Sequence, residues 1–274
     1  MAKDAAPGAR DATPDDLNAE LVSALAARQF FLVYQPTIDL RTGAFAGVEA
    51  LIRWRHPSRG VLGPADFLHE LAESDLVASV GRWTLETACR QGALWHRKGY
   101  RFPVSVNIAP RQFASERFVE DVSSAASASR LAPSQLILEF AERTLALDDP
   151  DVRARIAALV DAGVRLAVDD FDLGRSSLTL IAASSVSVVK LSRASLASLT
   201  GAGGDGARLH ELVAEARDLK VQVIASGVED KAQRKLLAAE HVDQGQGFLF
   251  ARPFEVGDID RLLEDFALFS GEPL

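Results

Sequence analysis

From residue 30 onward the chain alternates short runs rich in β-branched and aromatic residues with longer stretches whose apolar positions recur at helical spacing. The short runs predict strands at 30–35, 45–54, 103–108, 135–140, 164–170, 186–191, 221–225 and 247–250. Between most of them the 3.6-residue period predicts helices over 80–98, 117–129, 151–161, 207–219, 231–240 and 256–269. Ahead of the first strand, Thr13 is placed to cap a helix, Pro14 suits its first turn, and Asp15 and Asp16 favour the positive end of its dipole. Leu17, Leu21, Val22 and Leu25 mark the apolar face of that helix. Eight strands with intervening helices predict an α/β fold, a TIM-like (β/α)8 barrel. Only residues 36–44, with Thr42-Gly43, separate the first two strands, which predicts a hairpin and therefore an antiparallel first strand. Residues 1–14 read as a disordered lead or the end of a linker, and residues 15–270 as the barrel domain. The glycine-rich stretch 201–206 reads as a flexible loop; it follows no strand and holds no lysine, so its likeness to a nucleotide loop is superficial.

Composition narrows the classes. With 274 residues, 48% of them apolar, the length prior gives about one to two domains with a sizeable core. Acids outnumber bases 38 to 30, a net charge of −8 that argues against a nucleic-acid polymer as partner. A small anionic ligand stays open, provided a metal or a few placed cations meet it. The single cysteine, Cys89, excludes an internal disulfide framework and fits a reducing cytoplasm. No run approaches the roughly 20 apolar residues of a membrane span, and residues 1–16 hold no apolar stretch of a signal peptide. The expectation is a cytoplasmic domain.

Polar residues interrupt these strands at telling places. Glu49 sits in GVEALIRW, Asn107 in VSVNIA and Glu139 in LILEF; Asp169 and Asp170 end LAVDD, and Lys190 lies in VSVVKL. A charge or amide inside a barrel strand costs several kcal/mol unless it is paired or metal-bound. Five strands each contribute one, mostly near their carboxyl ends, where barrel active sites form. From Asn107 the steps to Glu139, Asp169 and Lys190 are 32, 30 and 21 residues, each about one strand-plus-helix unit. An all-oxygen set of Glu, Asn, Glu, Asp and Asp is what Mg2+ or Mn2+ prefers, and the absence of a His/Cys set argues against zinc. Hard cations among carboxylates, with Lys and Arg nearby, suit phosphoryl transfer or phosphodiester hydrolysis. The competing reading is that these acids cap loops or pair with arginine.

At these residues the sequence resembles the EAL family of bacterial cyclic di-GMP phosphodiesterases. The signature stands as Glu49-Ala50-Leu51, followed by Ile52-Arg53-Trp54. SVNIAPRQF (105–113), LEFAE (138–142), VDDF (168–171), VVKL (188–191), SGVE (226–229) and QGFLFARP (246–253) follow in the family's order. The resemblance covers about residues 17–268 and implies an eight-stranded β/α barrel whose first strand is antiparallel. It implies that Glu49, Asn107, Glu139 and Asp169 hold a first metal, and that Asp169 bridges to a second held by Asp170. Lys190 resembles the lysine that orients the attacking water, making Lys190, Glu49 and Asp169 the expected catalytic residues. Gln35, Leu51, Arg53 and Gln246 resemble substrate contacts, and Glu142 the glutamate that braces the loop after Asp170. The implied reaction opens cyclic di-GMP to linear pGpG with Mg2+ or Mn2+. The implied partners are the dinucleotide, a second copy through 171–177 and the helix at 178–183, and regulatory domains.

Three departures surround the implied second metal. Ser226 stands where the family usually has a glutamate, Asp172-Leu173-Gly174 replaces the usual Gly-Thr/Ser-Gly, and Ser192 replaces an aspartate. The first site is complete by sequence and the second weakened. Losing about 3–4 kcal/mol of transition-state stabilisation slows a reaction roughly 100- to 1000-fold. The departures therefore imply either slower hydrolysis or a receptor that binds the dinucleotide and signals through partner domains. Outside the motifs, Cys89 reads as a core thiol and Trp54 as packing. The five histidines take no role, although His56 falls in a turn after RWR, and Glu229 reads as a structural acid beside the helix start at Asp230.

Overall fold

In the computed structural model the described residues are 14–145, 149–172, 177–200 and 206–270. Thr13, most of the expected lead, the 173–176 part of the loop after Asp170 and residues 201–205 lie outside them. In chain order the elements are α1 (Pro14–Ala26), β1 (Phe30–Asp39), β2 (Phe45–His56), β3 (Gly60–Leu62), α2 (Leu68–Glu73), α3 (Val77–Arg97), β4 (Val104–Ile108), α4 (Pro110–Phe113) and α5 (Phe118–Ser129). There follow β5 (Leu136–Ala141), α6 (Pro150–Asp161), β6 (Arg165–Phe171), α7 (Leu178–Ala182), β7 (Val188–Leu191) and α8 (Arg193–Thr200). The last are α9 (Gly206–Leu219), β8 (Gln222–Ala225), α10 (Lys231–Ala239), β9 (Gln244–Gly245) and α11 (Val256–Ser270).

The sheet closes. Its order is β1-β9-β8-β7-β6-β5-β4-β2-β3, and β1 also pairs with β2, so eight strands form a ring with β3 hanging outside on β2. Neighbours from β2 round to β9 are parallel, while β1 is antiparallel to both β2 and β9. The hairpin accounts for this, because strands joined by a short turn must run in opposite senses. The TIM-like barrel with an antiparallel first strand is therefore the fold.

Two strand expectations need correction. β3 was not expected; its Leu62 joins Leu17, Leu21, Phe30, Trp54 and Phe67 in a cluster that seats α1 against the barrel wall. Val22, counted on α1's apolar face, is 51% exposed. The last stave is not 247–250 but Gln244–Gly245. Past Gly245 the chain folds over the barrel mouth: Val228 N–H donates to Gln246 O, and Leu249 N–H donates to Val228 O. Gly247 permits that approach, since a Cβ there would stand 2.2 Å from the Val228 carbonyl oxygen.

Side-chain alternation then divides each stave. Outward residues such as Val106, Leu138, Val168, Val189 and Val223 pack under the helices in the main core. Ile137, Ala167, Val188 and Ile224, one from each of β5 to β8, form a separate small cluster inside the barrel. Strand side chains repeat with period two, so the next inward positions toward the carboxyl ends are Glu139, Asp169, Lys190 and Ser226. An apolar plug thus floors a polar cup.

Candidate active site

Lys190 stands at the centre of that cup. Its Nζ lies 2.6 Å from Glu139 Oε2, 2.9 Å from Glu49 Oε2 and 3.6 Å from Asp169 Oδ1. Three carboxylates from β2, β5 and β6 therefore share one cation, here an ammonium. Glu49 is further held by Asn107, whose Nδ2 donates to Oε1 at 2.6 Å, and by Gln246, whose Nε2 donates to Oε2 at 2.8 Å. Gln246 also donates to Gln35 Oε1, and Gln35 donates to Ala251 O. The register explains these meetings: Gln35 faces Glu49 across β1 and β2, and Asn107 faces Glu139 across β4 and β5.

The ladder between β6 and β7 slips between Val168 and Phe171, and within that slip Asp170 adopts φ +54°. Aspartate tolerates this left-handed region better than most residues. A bulge of this kind re-aims side chains at a barrel rim. Both Asp169 and Asp170 consequently line the cup, Asp170 as its exposed member.

Charge is out of balance here. Burial opposes the charge of Lys190, but Glu139, Glu49 and Asp169 outweigh it and hold the ammonium protonated well above the usual lysine range. Burial also opposes ionisation of Glu49; the Lys190 charge and the hydrogen bonds from Lys190, Gln246 and Asn107 overcome it and hold this carboxyl low. Glu139 goes the other way. Burial, then the charge of Glu49, pushes it up to about 8 against the pull of Lys190. Asp169 is raised by burial and, against Lys190, by Glu49 and Asp170. One ammonium does not satisfy this many buried acids.

The cup is a cavity of about 260 Å3 lined by Gln35, Glu49, Leu51, Asp169, Asp170, Lys190, Ser226 and Gln246, with Arg193, Glu229 and Phe248 at its edge. Arg193 and Glu229 were not expected there. Their ion pair closes to 2.5 Å across the rim, and the Arg193 stem crosses Gly227, where a Cβ would stand 2.9 Å from it. Glu229 is thus a rim acid, and the helix-starting role belongs to Asp230, which accepts from Gln233 N–H. The signal available in sequence was position: each lies three residues beyond an inward-facing stave residue. Among the described residues Ser226 Oγ, which is buried, has no hydrogen-bond partner.

Some expected residues lie apart. Arg53 is four residues beyond Glu49, about 13 Å along an extended strand. Its guanidinium donates to Ile52 O and does not line the cup, although the Glu49 charge still acts on it. Glu142 begins the single turn Glu142–Thr144 directly after β5. Trp54 is buried and donates to Gln29, as packing requires, and His56 is buried in the β2–β3 hairpin, accepting from the Ser58 and Arg59 N–H groups. Cys89 is a core thiol.

The oxygen-rich donor set fits a hard divalent cation: Glu49, Glu139 and Asp169 already face one cationic point, and Asn107 gives its N–H to Glu49 while its carbonyl oxygen remains an acceptor. With Lys190 between them, the acids among the described residues are not already gathered at metal-ligand spacing. A divalent ion held here would have to share these oxygens with the ammonium.

Fold and cup define a β/α-barrel protein with an acidic, lysine-centred site at the carboxyl ends of its strands. A family model, the EAL domain, matches residues 18–253, and the chain belongs to that family. It is 37% identical over 236 residues to a bifunctional diguanylate cyclase/cyclic di-GMP phosphodiesterase, MucR, of Pseudomonas aeruginosa, covering 85% of this chain and 34% of that protein. Cyclic di-GMP phosphodiesterase NbdA of the same organism is 31% identical, with 93% and 33% covered. The chain thus spans about a third of the length of these curated relatives. Among solved structures, the PaMucR phosphodiesterase in complex with c-di-GMP superposes with a TM-score of 0.83 at 35% identity, covering 89% of this chain and 99% of that one. The EAL enzyme Bd1971, with cAMP and cyclic di-GMP bound, superposes with a TM-score of 0.83 at 26% identity, covering 91% and 68%. No described helix is long and apolar enough to cross a membrane.

Proposed function

We propose that this domain is a metal-dependent phosphodiesterase that hydrolyses cyclic di-GMP to linear pGpG. The observation that carries the reading is the convergence of Glu49, Glu139 and Asp169 on the single cationic point of Lys190. Membership of the EAL family and the relatives named above support cyclic di-GMP as the substrate. Glu49, Asn107, Glu139, Asp169 and Asp170 would hold Mg2+ or Mn2+, which neutralises phosphodiester charge and lowers the pKa of a bound water.

The remaining work falls to this chain's own groups. Lys190, kept charged by its acidic neighbours, orients the attacking water by donating a hydrogen bond to its oxygen. Gln246 and Gln35 hold Glu49 and present amides to the substrate. Leu51 joins the cup to an apolar groove of about 530 Å3 walled by Leu68, Val77 and Pro110, which suits a flat base. Arg53 approaches a phosphate from outside the cup through its fork of donors. Glu142 braces the loop after Asp170, and that loop with α7 is the face through which two copies pair.

A second reading, a receptor that holds the dinucleotide without turnover, is favoured by one observation: Ser226 brings only an unpartnered hydroxyl to the place where the family usually has a carboxylate. Incubating the purified domain with cyclic di-GMP and Mn2+ separates the two. Linear product that disappears in Glu49→Ala establishes the enzyme; tight binding with no product establishes the receptor.

A further inference from the structure

A groove of about 1090 Å3 lies far from the cup, between α3 and α5. It sits at the opposite end of the barrel, where Arg101 leads into β4 and Arg130 into β5. Its rim carries Arg90, Arg97, Arg101 and Arg130, all exposed, against one acid, Glu86. Several other arginines of this acidic chain do meet carboxylates: Arg59 with Glu20, Arg82 with Asp121, Arg193 with Glu229 and Arg261 with Asp258. The four rim arginines pair with no carboxylate among the described residues; Arg101 donates only to the His96 carbonyl oxygen.

The groove's shape is specific. Glu86, Arg90, Ala93 and Arg97 follow at steps of four, three and four, so they form one stripe along α3. That stripe is about 16 Å long, or three helical turns. Facing it on α5 are only small residues, Ser124, Ala125, Ala128 and Ser129. Small side chains let another backbone come close, while the cations stand on the rim above it. Among the described residues no buried polar side chain lines the floor, which argues for a segment that lies along the groove rather than a small anion held at a point.

We propose that the α3–α5 groove docks an acidic helical segment of a partner protein, whose carboxylates meet Arg90, Arg97 and Arg130 while its backbone lies over Ala93 and Ala125. Binding there leaves the mouth of the barrel open.

The test uses a fluorescent alanine-rich helical peptide of about four turns, with glutamates at i, i+3, i+4 and i+7 spacing. Saturable binding is expected to weaken at least about tenfold in the doubly reversed variant Arg90→Glu with Arg130→Glu, and to weaken with rising salt. Arg234→Glu with Lys235→Glu on α10, the same change of net charge, is expected to leave it within about twofold. The neutral pair Arg90→Gln with Arg130→Gln gives the same answer without reversed charge. Failure of the peptide to bind, or equal weakening by groove and α10 variants, overturns the proposal. So does binding of phosphatidylserine vesicles through the groove in place of the peptide, or a change of oligomeric state in the groove variant, which would make a second copy the occupant. None of these readouts depends on hydrolysis.

Discussion

Lys190 and Glu139 meet at 2.6 Å inside the barrel, each only 2% exposed. A buried pair of this kind is weak evidence for stability, since desolvation offsets most of the attraction. Breaking it is another matter. Lys190→Met leaves Glu49, Glu139 and Asp169 facing one another without a cation, and a loss of about 3–5 kcal/mol is expected in chemical denaturation at neutral pH. Adding Glu49→Gln removes the carboxylate that the lysine holds ionised and should recover part of that loss, a coupling that a double-mutant cycle measures.

The same lysine serves the proposed chemistry, so Lys190→Met should also lower turnover of cyclic di-GMP at least about 100-fold. Chelation by EDTA should stop hydrolysis in the unaltered domain, and Mn2+ should restore it. Glu49→Ala should not respond to added Mn2+, because that variant lacks the carboxylate shared by Lys190, Asn107 and Gln246. Product formation followed by chromatography checks all three.

Ser226→Glu returns a carboxylate to the inward position beyond Ile224 on β8. Turnover is expected to rise about tenfold or more, equivalent to roughly 1.4 kcal/mol of barrel-mouth stabilisation of the transition state. An unchanged rate would show that the departures at Asp172 and Ser192, rather than Ser226, govern the activity.

Gly247 has no room for a side chain against the Val228 backbone, whereas Gly257, near the start of α11, has nothing within 4 Å. Gly247→Ala is expected to cost about 1–3 kcal/mol and to loosen Gln246 beside it. Gly257→Ala should be neutral or slightly stabilising. Thermal melts of the two variants make the comparison.

Burial pushes the Cys89 thiol up to about 12, so little thiolate exists at pH 8. Iodoacetamide should leave the folded domain unmodified and label it once denaturant opens the core, as read by intact mass. Rapid labelling of the native protein would show that α3 opens locally.

Local pattern carried much of this protein. The period-two and 3.6-residue repeats set out seven of the eight staves within a few residues, and the hairpin at Thr42-Gly43 set the antiparallel sense of β1. The polar interruptions at Glu49, Asn107, Glu139, Asp169 and Lys190 were legible because a charge in an otherwise apolar strand stands out against its neighbours. β9 was missed for a physical reason: a two-residue stave has no period to read, and its course is set by Gly247 pressing on Val228.

What the amino-acid order determined alone was the inventory: which staves exist, which residues face inward, and which of those are polar. Tertiary structure decided which of them meet. Register and ring closure put Lys190 between three acids contributed by strands far apart in the chain, and a bulge turned Asp170 to the rim. The 2.5 Å pairing of Arg193 with Glu229, and the separation of Arg53 from the cup, likewise follow from distances through space. Coulomb energy depends on those distances and on burial, and neither is written in the spacing of residues along a chain.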